Sequence, residues 1–213
     1  MNAIELLERY AAGERSFDFP NLEGINLSDT DLRGADFRGA DLFDANLRSA
    51  DLSDANLGGA ILSQAVLSGA LLSSAFLNRA VLRGAILHGA ILKGAILNGA
   101  NLSGADLYHA NLSGALLGQV DLYHAYLSSA ILREADLYHA YLREANLFGA
   151  NLRSANLSGA DLTGANLMAS NLRSVNLFGA NLSDANLGGA NMRCALICKT
   201  IMPDGEVSNR DCL

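Results

Sequence analysis

The chain has 213 residues, half of them hydrophobic, with two prolines, no tryptophan and a formal net charge of −7. That length suits one sizeable domain. Its three cysteines (Cys194, Cys198, Cys212) crowd near one end, which excludes a disulfide scaffold, and their odd number points to free thiols in a reducing, cytoplasmic setting.

The first fifteen residues, MNAIELLERYAAGER, put acids inside an apolar run and carry no basic leader, so a signal peptide is not expected. Asn2 and Glu5 have capping-box spacing, and Gly13 stands where a helix C-terminal glycine belongs. This predicts a helix over 2–12 within a capping segment 1–15. Ile4, Leu6 and Leu7 are its expected contacts with the domain that follows.

From there the chain repeats every five residues. Call the leucine position the centre of each unit. Centres fall at residue 22 and every fifth residue through 197, 36 units without an insertion; 33 are Leu, the others being Phe37, Met192 and Ile197. Two residues before the centre stands alanine, without exception from Ala35 to Ala115. A period of five fits neither regular element. On an α-helix five residues advance about 140°, and on a straight strand leucines five apart alternate faces. The leucines share one core only if the backbone turns a corner in every unit. Ala and Leu then point inward from a short extended piece, while the slot between them and the two residues after Leu point outward. Gly, Ser, Asp and Asn are common after the centre, and they tolerate corner conformations. Corners of about 90° close after four units, so 20 residues make a coil and 36 units make nine. At about 4.8 Å per coil the rod is ~43 Å long.

This A(D/N)LXX pattern resembles the pentapeptide-repeat family over most of the chain. The resemblance implies an all-β fold, a right-handed quadrilateral β-helix over 16–202. Met202-Pro203-Asp204-Gly205 reads as a turn that starts a capping tail, 203–213, expected to fold over the last coil. The segments YAAGER and IMPDG resemble the termini of cyanobacterial members.

The outward slot is usually Asp or Asn, but eight consecutive units place Ile61, Val66, Leu71, Phe76, Val81, Ile86, Ile91 and Ile96 there. The surrounding stretch 55–78 has no charge and is long enough to span a bilayer. Its Gln64, serines, glycines and unbroken five-residue register argue against a membrane helix. The belt lies between an acidic first quarter, 12 acids and 5 bases in 1–54, and a mixed region with seven acids and six bases in 106–199. Residues 20 apart stack on one face, so Phe76, Ile96 and Leu116 form one candidate binding ladder and Leu71 with Ile91 another. Mutual packing of these β-favouring side chains along the stack is the alternative reading.

Two further features are candidate partner surfaces. Arg133, Arg153, Arg173 and Arg193 form an unbroken ladder on one face, suited to an acidic partner or simply solvated. The motif DLYHA occurs at 106, 121 and 136 and brings Tyr108 near Tyr126, and Tyr123 near Tyr141. Its histidines, His109, His124 and His139, fall on three different faces and do not converge on a metal. Cys198 with Cys212 is a geometrically open pairing, with free thiols the expectation.

No phosphate loop, nucleophile with base, or metal set is present in the sequence, and no cofactor is expected. The sequence reads as a non-catalytic scaffold whose partner is another protein, with a regulatory role or self-association through the belt open. Neither nucleic acid nor membrane is an expected partner. Some family members mimic B-form DNA and bind type II topoisomerases. The uneven acids, the arginine ladder and the lack of a counterpart to their dimerising C-terminal helix count against that alternative. A purely structural rod is the third reading.

Overall fold

A computed structural model describes residues 1–17 and 21–212. Residues 18–20, at the head of the expected repeat segment, and Leu213, at the end of the expected tail, lie outside the described residues.

The first element is helix α1, Ala3–Ala11. The Asn2 side chain accepts the Glu5 N–H at 2.9 Å, which satisfies one of the helix's open amides. Gly13, at φ 97°, ends it in a conformation that glycine adopts freely. Leu6 is fully buried, and Ala3, Leu7 and Tyr10 pack on the same core. These four share one helical stripe. Ile4 lies off that stripe and is 71% exposed, so it does not cover the first coil as the sequence suggested. Tyr10 also ties the helix down by donating its hydroxyl to the Arg33 carbonyl at 2.9 Å.

The repeat segment is a stack of 20-residue coils. Parallel bridges join each slot to the slot 20 residues later, from Ser16–Asp36 to Asn181–Ile201. One unit shows how its backbone amides are satisfied. The slot N–H of Ile61 donates back to the Ala40 carbonyl at 2.9 Å. The centre N–H of Leu62 donates forward to Val81 at 2.7 Å, and Gln64 donates forward to Arg83 at 3.0 Å. The Ala65 N–H closes the corner on Leu62 at 3.1 Å. The fifth amide, on the residue after the centre, is the one that the slot side chain decides.

Every second residue after a centre, from Gly24 to Lys199, has positive φ, and 20 of these residues are not glycine. That is the backbone sign a type II turn requires of its third residue. The corner therefore belongs to the coil geometry and is imposed even on Arg79, Glu134 and Ala169. Inside, the leucines and alanines are essentially without solvent exposure up to Leu182, and Leu187 and Ala190 in the last coil are half-buried. Near α1 the core takes larger rings, with Phe17 and Phe37 stacked at 5.4 Å between centroids.

Beyond the last corners, β1 (Thr200–Ile201) and β2 (Val207–Ser208) form an antiparallel hairpin. The residues after β2 cap two backbone amides at the last corner. The Asp211 carboxylate accepts the Ile197 N–H at 2.9 Å, and Asn209 accepts the Lys199 N–H at 3.1 Å. Arg210 donates to the Ala195 carbonyl at 3.0 Å. These contacts bring Cys212 against Cys198, and the two form a disulfide with a Cα–Cα distance of 4.9 Å. The expectation of three free thiols is thereby corrected; only Cys194 remains free, and it is exposed.

Candidate interaction surface

The four faces are named by their slots: first (21, 41, 61…), second (26, 46, 66…), third (31, 51, 71…) and fourth (36, 56, 76…). Where the slot is Asp or Asn, its Oδ1 turns back to accept the open corner amide. Asn56 accepts from Gly58 at 3.1 Å, Asn101 from Ser103 at 3.0 Å and Asp106 from Tyr108 at 3.0 Å. From Ile61 through Ile96 the slot has no acceptor to offer, and those corner amides have no protein acceptor among the described residues. The belt thus trades eight backbone caps for outward apolar surface.

On the fourth face, bridges join Phe76 to Ile96 and Ile96 to Leu116, so the predicted ladder is contiguous. Phe76 and Leu116 are 43% and 41% exposed, while Ile96 between them is half-buried. Asn78, Arg79, Asn98, Gly99 and Gln119 line a groove of about 410 Å³ along its edge. An apolar ridge with an amide rim is the usual build of a protein-recognition patch. Leu71 and Ile91 are likewise bridged on the third face, Leu71 the more exposed of the two.

Tyr108 and Tyr126 meet on the second face, where they line a groove with Gly84, Gly104, Asp106 and Ser128. The Tyr108 ring also packs on His88 and His109, at 4.9 and 4.0 Å. On the first face, Tyr141 is bridged to Asp121, and Tyr123 packs on its own neighbour His124 at 4.0 Å. The histidines occupy corners of the second, first and fourth faces; His124 lies 3.3 Å from Glu144, and His139 turns to the Gly159 carbonyl at 3.1 Å.

The arginine ladder is fixed by the coil bonds themselves. Glu134, Ser154 and Ser174 each donate at 3.0 Å to the carbonyls of Arg153, Arg173 and Arg193. All four arginines are exposed. Arg133 has Glu134 at 3.9 Å, and among the described residues no carboxylate pairs with Arg153, Arg173 or Arg193. At the other end of this third face, the Arg33 guanidinium binds Asp31 at 2.6 Å and reaches Asp51 at 3.7 Å. With the Arg33 backbone amide also donating to it, Asp31 is held at about 2, well below the usual carboxylate range.

Sequence reading missed the row His88, Tyr108, Phe148 and Met168 on the second face, where Phe148 and Met168 are 45% and 39% exposed. The 20-residue spacing contained that signal. The members of the row share a face but no side-chain type, so no repeated motif marks them.

A family profile described as pentapeptide repeats matches in eight copies, over residues 21–59, 60–99, 100–138, 130–167 and 170–195. Among solved structures, the chain is similar to HetL, a pentapeptide repeat protein involved in heterocyst differentiation regulation from the cyanobacterium Nostoc sp. strain PCC 7120. Identity is 41% over 98% of this chain and 100% of that one, with a TM-score of 0.47. A pentapeptide repeat protein of the Arabidopsis thaliana thylakoid lumen is 30% identical over 55% of this chain and 70% of that one, with a TM-score of 0.35. QnrB1, a plasmid-mediated fluoroquinolone resistance protein, is 19% identical over 84% and 90%, with a TM-score of 0.50, a likeness of fold alone. No curated protein matches the chain significantly.

Proposed function

The chain belongs to the pentapeptide-repeat family, whose fold is a right-handed β-helix, and we propose that it is a non-catalytic regulatory scaffold that binds another protein. Nine coils would give it a stiff body on which side chains hold fixed positions along each face. The observation that carries this reading is the Phe76–Ile96–Leu116 ridge with its rim of Asn78, Asn98 and Gln119. A ridge needed only for packing would be buried along its length, yet both of its ends are more than two-fifths exposed. The 41% sequence identity with HetL, a protein involved in heterocyst differentiation regulation, supports the regulatory half of the proposal. The DNA-mimic alternative gains nothing from the QnrB1 likeness, which is one of fold. It also has against it the concentration of acids in residues 1–54.

The test is affinity capture from the native host, comparing the wild type with the Phe76→Asp, Leu116→Asp double variant after circular dichroism shows both folded. A stoichiometric protein partner that the variant loses is the expected result. Capture of the same proteins by both, or of none by either, overturns the assignment of the ridge.

A further inference from the structure

Over residues 121–199 the rod is charged across its width. The third face carries Arg133, Arg153, Arg173 and Arg193 against one acid, Glu134. The first face, opposite it in a four-sided coil, carries Asp121, Glu144, Asp161 and Asp184 against one base, Arg143. The second face has no charged residue in this stretch, and the fourth has one of each sign, Asp136 and Lys199. The first face settles part of its charge internally, with Arg143 at 4.0 Å from Asp161. The third does not, since among the described residues no carboxylate pairs with Arg153, Arg173 or Arg193. We propose that this arginine row docks an acidic α-helical segment of a partner protein.

The row is held by the backbone on both sides. The amides of Arg153, Arg173 and Arg193 donate to the Oδ1 of Asn151, Asn171 and Asn191, each at 3.2 Å, and their carbonyls accept from the preceding coil. With Oδ1 committed to the corner, what each asparagine has left to offer is its Nδ2 donor. Ile131, 36% exposed beside Arg133, adds one apolar anchor. A row of guanidinium forks flanked by amide donors suits carboxylates, and the field across the rod steers an acidic partner to this side.

Spacing decides what carries those carboxylates. Neighbouring arginines are one coil apart, so the four span roughly 14 Å. Three turns of an α-helix rise about 16 Å, so glutamates at i, i+4, i+7 and i+11 keep step with the row within the reach of an arginine side chain. An extended strand shows one side at every second residue, and three such repeats cover roughly 20 Å, which falls out of step. A nucleic acid is a continuous polyanion, and along this face it would run onto the start of the rod, acidic on balance at Asp31, Arg33, Asp51 and Asp54. A second copy fails on the same residues. Its acidic first face, laid parallel on the third, sets Asp41 and Asp44 against Asp31 and Asp51, and laid antiparallel it brings Asp161 and Asp184 onto them.

The row lies apart from the fourth-face ridge, and neither assignment depends on the other. The test uses two alanine-rich peptides of about 20 residues, long enough to be helical alone. One carries its glutamates in a single stripe, at i, i+4, i+7 and i+11, and the other carries the same number distributed round the helix. Fluorescence anisotropy at low ionic strength is expected to show the striped peptide bound about 10-fold more tightly than the distributed one, and salt is expected to weaken it. Arg153→Glu with Arg173→Glu should weaken striped-peptide binding by about 10-fold or more. Arg153→Gln with Arg173→Gln, which adds no new charge, should weaken it in the same direction, and Phe76→Asp with Leu116→Asp should leave it unchanged. Equal affinity for the two peptides, no binding of either, or binding that survives both arginine pairs overturns the proposal. Tighter binding of a single-stranded oligodeoxynucleotide of matched charge would make the face a nucleic-acid surface and overturn it equally. So would sedimentation of the wild type as a dimer that the Arg153→Glu, Arg173→Glu variant loses, which would give the row to a second copy.

Discussion

Ala169 holds φ 58° in a corner, where a Cβ costs about 1–2 kcal/mol. Glycine removes that clash at an entropic cost of about 0.5–1 kcal/mol. Ala169→Gly is therefore expected to stabilise the fold by about 0.5–1 kcal/mol, read as a higher urea midpoint at unchanged slope. Gly89, at φ 65° with open space around it, gives the reverse case, in which only the backbone objects. Gly89→Val should cost about 2 kcal/mol by the same measurement. Charge at residue scale is legible through pH. Asp31, bound to Arg33, is held at about 2, below its unfolded value near 3.9. Its pairing therefore stabilises fully above pH ~4 and is lost as pH falls through about 2. Arg33→Gln should flatten the stability profile between those limits; an unchanged acid limb would mean that the ion pair contributes nothing.

The two caps differ in how far their sequences foretold them. α1 was legible because its signals are local: Asn2, Glu5 and Gly13 lie within one short segment, and the stripe of Leu6, Leu7 and Tyr10 has the helical period. Only Ile4 was misassigned, since hydrophobicity without phase does not say which side of a helix a residue takes. The coil was legible for a stronger reason: a period of five admits a shared core only with a corner per unit, and each further unit repeats the evidence. The disulfide was not, because joining Cys198 to Cys212 depends on a hairpin and on Asp211 and Asn209 finding the amides of Ile197 and Lys199. Such contacts leave no periodic trace. The candidate surfaces were half legible: spacing placed the ladders, but exposure along Phe76, Ile96 and Leu116 came only with packing. At this scale Cys212→Ser is expected to cost up to about 3 kcal/mol, the loop-closure value for a bridge spanning 14 residues. Because each coil touches only its neighbours, the loss of amide protection should concentrate at residues 196–201. Uniform loss along the rod would show that the tail governs the whole stack.

For the whole molecule, core and surface obey different periods, and deletions separate them. The core repeats every five residues, because every unit delivers one Leu and one Ala inward. The surface repeats every twenty, because a face returns only after four corners. Removing residues 101–105 therefore joins Ala100 to Asp106 in register for the core, and the rod should still fold cooperatively. Everything beyond the junction is turned by a quarter revolution relative to the start. The arginine ladder keeps its own alignment but moves onto the second face, away from Asp31 and Asp51. Removing residues 101–120 shortens the rod by one coil and leaves every face in place. Both deletions should show the β-rich circular dichroism of the parent and a single unfolding transition. Failure of the five-residue deletion to fold would mean that surface ladders, such as the Asn156–Asn176 side-chain bond at 3.2 Å, hold the stack together as firmly as its leucines do.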